Sequence, residues 1–121
     1  MKVLIADDDQ TIRALLSDML VDLGHLVVAA SNGAEAVELA ESEHPDVVIL
    51  DFLMPKLSGL DAFKAMRARG LSVPAVFLTA ISDSSMREVE GFEAPAVLLE
   101  KPFKKRTIEK ALARATGSSS E

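Results

Sequence analysis

Short blocks of consecutive apolar residues alternate along this chain with longer stretches in which apolar residues recur every three or four positions. The blocks are Val3 to Ala6, Leu26 to Ala29, Val47 to Leu50, Val73 to Leu78 and Ala96 to Leu99. A continuous apolar run of this length, rich in β-branched residues, predicts a strand buried on both faces. The intervening stretches predict amphipathic helices. From Gln10 to Leu23, the residues Ile12, Leu15, Leu16, Met19, Leu20 and Leu23 mark one face, with Asp9 as N-cap and Gly24 as C-terminal stop. Ala34 to Ser42 turns Ala36, Val37, Leu39 and Ala40 inward, and Gly59 to Arg69 turns Leu60, Phe63 and Met66 inward. Lys104 to Ala115 does the same with Ile108, Ala111, Leu112 and Ala115. The stretch Ser82 to Phe92 is the least regular. Met86 and Val89 have helical spacing and Ser85 to Glu88 has the form of a capping box, but Gly91 and Pro95 keep any helix short.

Five strands alternating with five helical patterns predict an α/β fold. The expectation is a single-domain, doubly wound, five-stranded parallel sheet with helices on both faces, joined by right-handed crossovers. The domain is expected to span residues 1–116, followed by a short polar tail at 117–121. The block Val47 to Leu50 is its centre. Pro45 and Asp46 open it, it runs straight into Asp51, and Pro55 keeps the strand from continuing. Asp51 then stands at the carboxyl end of a central strand, the edge where open α/β sheets bind ligands. On this stretch alone, Asp51 reads equally well as a loop residue that caps the next helix.

Composition narrows the chemistry. The chain has 121 residues, which suits one core, and its hydrophobic content of 49% is that of a folded domain. A net charge of -6 argues against non-specific nucleic-acid binding and suits a protein that holds cations or meets a basic partner. There is no cysteine, so disulfides, thiolate metal sites and cysteine nucleophiles are excluded. The only histidines are His25, at a strand edge, and His44, in a loop. No apolar run approaches membrane-spanning length, and Met1-Lys2 leads directly into a strand without a secretory signal, so a cytoplasmic location without membrane contact is expected.

The polar residues of interest all come directly after strands. Asp7 and Asp8 come after the first, Asp51 after the third, Thr79 after the fourth and Lys101 after the fifth. A parallel sheet gathers these ends into one shallow crevice. Crowded carboxylates stay ionised when a cation joins them. Oxygen ligands without His or Cys select Mg²⁺ or Mn²⁺. A metal can hold a phosphoryl oxygen, and an Asp carboxylate can become an aspartyl-phosphate. A Lys ammonium and a Thr hydroxyl suit further phosphoryl oxygens. The chemistry implied is phosphoryl transfer onto Asp51. Taken singly, Asp9 reads as a helix cap, Asp7 as another, Thr79 as an ordinary strand end and Lys101 as a solvated residue. The set is far more specific than its members.

From Lys2 to about Ala115, the chain resembles the response-regulator receiver domain of two-component signalling. The marks are Asp7-Asp8, Asp51 within Leu-Asp-Phe-Leu-Met-Pro, Gly59, Thr79-Ala80 and Lys101-Pro102-Phe103. The resemblance implies a flavodoxin-like sheet in the order 2-1-3-4-5. It implies that Asp51 is the phosphoacceptor for a histidine kinase or phosphotransfer protein, and that Thr79 and Lys101 sense the phosphoryl group. It implies one Mg²⁺ held by Asp8 and Asp51, by the backbone carbonyl at Leu53, and by Asp7 directly or through water. The Lys101-Pro102 bond is expected to be cis. Such a domain is a regulatory phosphoacceptor, not an enzyme in the ordinary sense, and assists its own phosphorylation and dephosphorylation. Its output is a changed surface for a downstream protein target. Two residues depart from the family pattern. Leu98 holds the switch position usually given to Tyr, Phe or His, and Ala94-Pro95 replaces the usual Gly-Ala before the fifth strand. Leu53 and Ile81 hold the positions that flank the phosphoryl group in the family, and as apolar residues they imply slow dephosphorylation.

Three other classes fit less well. A haloacid-dehalogenase-type phosphatase needs a second Asp where Leu53 stands. A flavin carrier of the flavodoxin type needs a Ser-, Thr- and Gly-rich phosphate loop where Asp7-Asp8-Asp9 stands. A pseudo-receiver that binds partners without phosphorylation is the alternative left by the altered output face.

Overall fold

The computed structural model describes residues 1–52, 54, 57–79 and 96–117. In chain order these form β1 (Lys2–Ala6), α1 (Gln10–Asp22), β2 (Leu26–Ala30), α2 (Gly33–Glu43), β3 (Val47–Asp51), α3 (Gly59–Ala68), β4 (Ala75–Thr79), β5 (Ala96–Glu100) and α4 (Lys105–Thr116). The strands make one five-stranded sheet in the order β2-β1-β3-β4-β5, and every pairing is parallel. The order agrees with the expected 2-1-3-4-5. Four helices lie among the described residues. The fifth helical pattern, and the Ala94-Pro95 departure, lie outside them.

The continuous apolar runs are explained by two cores, one on each face of the sheet. Leu4, Val48, Leu50 and Phe77 point to one face, where α2 contributes Ala36, Val37 and Ala40 and α3 contributes Phe63 and Met66. Val3, Ile5, Val47, Ile49, Val76 and Leu78 point to the other, against Leu16 and Leu20 of α1 and Ile108, Ala111 and Leu112 of α4. Successive residues of a strand alternate faces, so a strand covered on both sides has no polar position to spare. All five residues of β3 are buried, Asp51 included. At about 25 cal/mol per Å² of apolar surface buried, these two layers provide the main drive for folding. β2 is an edge strand and is covered less well, with Leu26 70% exposed.

One inward assignment on α1 is corrected. Leu15 is 44% exposed. Leu16 and Leu20 set the centre of the contact with the sheet, and consecutive helical residues are turned by about 100°, which carries Leu15 out of the stripe.

Helix starts are fixed at the carboxyl edge of the sheet. Asp9 Oδ1 accepts from the Thr11 and Ile12 N–H groups at 2.8 and 3.4 Å. Asn32 Oδ1 accepts from Glu35 N–H at 2.8 Å, and Ser58 Oγ accepts from Asp61 N–H at 3.1 Å. Each cap satisfies N–H groups that the helix itself leaves unpaired. α1, α2 and α3 thus begin from set positions beside the strand ends that carry the acidic residues. At the opposite edge, His44 ends α2 in the left-handed region at φ 50°.

Candidate functional site

Four of the five strands, β1, β3, β4 and β5, deliver one or two polar groups to the same edge. β1 ends at Ala6, and Asp7 comes next. Asp7 N–H donates to Ala30 O at 3.3 Å, which holds the start of the loop against the end of β2. The Asp7 side chain is 1% exposed, and its Oδ1 accepts from Asp9 N–H at 2.9 Å. Its Oδ2 is buried and has no hydrogen-bond partner among the described residues. Asp8 is exposed to solvent. Asp51 closes β3 opposite Leu78 and is 7% exposed. Thr79, buried, closes β4 one position further along.

Lys101 is placed by main-chain geometry. Its N–H donates to Thr79 O at 2.9 Å, which continues the β4–β5 ladder past Glu100. The Lys101–Pro102 peptide is cis, as expected. The Lys101 ammonium lies 3.4 Å from Asp51 Oδ1 and 3.5 Å from Asp7 Oδ2. One oxygen each of Asp7, Asp8 and Asp51 falls within 4.8 Å of the others. The expected residues Asp7, Asp8, Asp51 and Lys101 are therefore brought together, with Thr79 on the same edge. Leu53 lies outside the described residues. Leu98 is half-buried on β5, opposite Phe77 in the β4–β5 register, and packs with the α2–α3 core.

The electrostatics favour a cation. Three carboxylates converge and one ammonium meets two of them, which leaves a negative excess at this edge of the sheet. Burying the Asp7 carboxylate oxygen without a hydrogen bond is costly unless a further positive charge faces it. The donor set is oxygen only, which fits a hard divalent ion such as Mg²⁺. These residues fit the metal that the sequence implied.

Gly59 shapes the loop after Asp51. Its N–H donates to Phe52 O at 3.1 Å, and Phe52 N–H donates to Leu78 O at 2.8 Å. A Cβ at position 59 would overlap the Asp51 carbonyl oxygen and sit 3.0 Å from its carbon. The obstacle is main chain and cannot rotate away. Gly59→Ala is expected to lower stability by about 1–3 kcal/mol, the range for overpacking a well-filled site. Urea denaturation followed by circular dichroism measures this, and an unchanged midpoint would show that the loop yields freely.

Two residues at the site carried no functional reading in the sequence. Arg13 on α1 donates from Nη1 to Asp7 O at 2.7 Å. Gly33 opens α2 against the main chain of Leu57. Asn-Gly between a strand and a helix ordinarily marks a turn and no more, and helical periodicity says nothing of Arg13.

Comparisons with known proteins agree with this fold. The family model of the response regulator receiver domain matches residues 3–113. The chain is 43% identical over 109 residues to a probable transcriptional regulator, ycf27, of Guillardia theta, covering 89% of this chain and 42% of that protein. It is 39% identical over 108 residues to the alkaline phosphatase synthesis transcriptional regulatory protein PhoP of Bacillus subtilis, covering 88% of this chain and 45% of that protein. The chain thus spans less than half the length of these relatives. Among solved structures, chemotaxis protein CheY4 of Vibrio cholerae aligns with a TM-score of 0.85 at 33% identity, over 94% of this chain and 97% of that one. The receiver domain of a sensor histidine kinase from Pseudomonas aeruginosa PAO1 aligns with a TM-score of 0.85 at 30% identity, over 97% of this chain and 98% of that one. That structure holds a magnesium ion coordinated in its active site cleft.

Proposed function

This chain belongs to the response-regulator receiver domain family, and on that premise we propose that Asp51 takes a phosphoryl group from a histidine kinase or phosphotransfer protein. The observation that carries the reading is the convergence of Asp7, Asp8 and Asp51 on one another and of Lys101 on two of them. Asp8 and Asp51, the Leu53 carbonyl, and Asp7 directly or through water would hold a Mg²⁺ ion. When bound, Mg²⁺ supplies positive charge to the phosphoryl oxygens and offsets the repulsion among the carboxylates.

The chain's own residues do the rest. A carboxylate oxygen of Asp51 attacks phosphorus, the bond from phosphorus to the donor's imidazole nitrogen breaks, and the imidazole leaves with its electron pair. The product is an acyl phosphate on Asp51. Lys101, already within ion-pair distance of Asp51, pairs with a phosphoryl oxygen, and the Thr79 hydroxyl turns toward another. Side chains that gain such contacts only after phosphorylation shift the population toward a second conformation. Leu98 has no ring to swing and no polar tip, so the change passes mainly into the 80–95 segment. The output is an altered protein-binding surface formed by that segment, β5 and α4. The domain is read as 1–116 with a polar tail, acting in the cytoplasm on a protein target. Among the described residues no helix is long and apolar enough to cross a membrane.

Incubation with acetyl phosphate and Mg²⁺, followed by intact mass, tests the reading. One added phosphoryl group that disappears when EDTA is present supports it. No mass gain at any Mg²⁺ concentration refutes it.

The adduct is expected to be long-lived. Leu53 and Ile81 cannot orient an attacking water by hydrogen bonding. Leu53→Asn and Ile81→Glu, singly and together, are expected to shorten its half-life, with the double variant fastest. Loss of the phosphoryl mass over time measures this, and half-lives no shorter than the parent's would reject shielding by these residues.

A further inference from the structure

The first turn of α2 packs against the chain just ahead of α3, yet it contributes none of the reacting groups. Gly33 is buried, and a Cβ placed on it would overlap the Leu57 carbonyl oxygen and lie 2.9 Å from both the carbonyl carbon and Cβ of Leu57. Leu57 belongs to the connection between Asp51 and α3. Leu57 therefore lies directly on the start of α2, and only glycine at 33 permits the approach. Residues 32–35 are held rigidly in turn. Asn32 Oδ1 accepts from Glu35 N–H, and Glu35 Oε1 accepts from the Ser31 N–H at 2.7 Å and the Ser31 hydroxyl at 3.0 Å. The Ser31 bonds hold the Glu35 carboxyl below its ordinary range, and the positive charge of Arg13 adds to this. Arg13 in turn donates to the Asp7 carbonyl at 2.7 Å, at the root of the acidic pair. Further along α2, Glu38 and Glu41 both pair with Arg69 at the end of α3. The helix thereby meets the chain at both ends of α3.

We propose that Gly33 and Arg13 are positioning residues for the metal site, Gly33 by seating Leu57 ahead of α3 and Arg13 by fixing the carbonyl of Asp7. This rests on the reading of the carboxylate cluster as a Mg²⁺ site. Outer residues that orient metal ligands commonly change affinity without touching the ion. A Cβ at 33 must push the Leu57 main chain away, and Gly59, two residues on, donates its N–H to Phe52 O, so the shift reaches the main chain beside Asp51. Loss of the Arg13 bond frees the Asp7 carbonyl on the other side.

The test is Mg²⁺ titration by calorimetry of the parent, Gly33→Ala and Arg13→Gln, at a temperature where each keeps its native circular dichroism. Ala34→Gly, exposed in the same turn, is the control for weakening the helix without crowding the loop. Gly33→Ala is expected to bind Mg²⁺ roughly tenfold more weakly, the lower end of such outer-residue effects. Ala34→Gly should match the parent. Labelling of Gly33→Ala by acetyl phosphate should need more Mg²⁺ to reach half its rate, yet approach the parent rate at saturation. A purely structural role for Gly33 would lower stability and leave Mg²⁺ affinity alone, and that result overturns the proposal. If Gly33→Ala does not fold, Arg13→Gln decides by the same comparison, with parent-like affinity overturning it. A parent that binds no Mg²⁺ instead removes the underlying reading of the site, a different outcome from a parent and variant that bind equally.

Discussion

Asp51→Asn is expected to gain no phosphoryl group from acetyl phosphate and Mg²⁺ under conditions that label the parent. An amide nitrogen or oxygen is a far poorer nucleophile than a carboxylate, and its charge is absent, so both attack and metal binding suffer. The side chain keeps its size, and the site loses one of three converging negative charges. The variant should therefore fold as well as the parent or better, since like charges brought together raise the free energy of the folded state. Intact mass and urea denaturation, run together, separate lost chemistry from lost structure. Labelling of Asp51→Asn to the parent level would move the phosphoacceptor to another residue.

Asp8→Ala is expected to abolish useful Mg²⁺ affinity while leaving the fold intact. Asp8 is exposed, and truncation of a surface side chain of this kind usually changes stability by only about 0.5 kcal/mol. Its effect on the ion is much larger. Removing a unit charge a few ångströms from a cation near a protein surface costs on the order of 2–4 kcal/mol, which is roughly 30- to 1,000-fold in Kd. The chain has no Trp and no Tyr, so calorimetry or amide shifts must report the binding. A Kd equal to the parent's would show that Asp8 is no ligand. The same variant should be phosphorylated slowly, because the phosphoryl transfer proposed for Asp51 would rest on charge neutralisation.

Much of the fold is legible in the sequence, for a physical reason. A strand covered on both faces must be apolar throughout, so Val47 to Leu50 and Val3 to Ala6 stand out without knowledge of their neighbours. The site is legible for the same reason: a carboxylate directly after such a run, as at Asp7 or Asp51, must emerge at the sheet edge. Helix caps at Asp9 and the inward faces of α3 and α4 come from local rules. Leu15 does not, because the choice among six apolar positions on α1 is made by the sheet beneath it and not by the helix. Gly33 and Arg13 stayed hidden for a similar reason. Their partners, Leu57 and Asp7, are met through main-chain groups, and main-chain groups leave no trace in side-chain patterning. Gly59 stood out as a family mark, but its cause, the Asp51 carbonyl against its Cα, needed three dimensions.

Formation of an acyl phosphate on Asp51 is tested most directly by borohydride. The reagent reduces an acyl phosphate, but not a free carboxylate, to an alcohol, and so records its position permanently. The parent would be treated with acetyl phosphate and Mg²⁺, reduced, digested and sequenced by mass spectrometry. The expected result is a reduced side chain at position 51 alone, absent when EDTA is present. Reduction at Asp7, Asp8 or Asp9 with Asp51 unchanged, or no reduction in a sample whose intact mass shows the phosphoryl group, would contradict it.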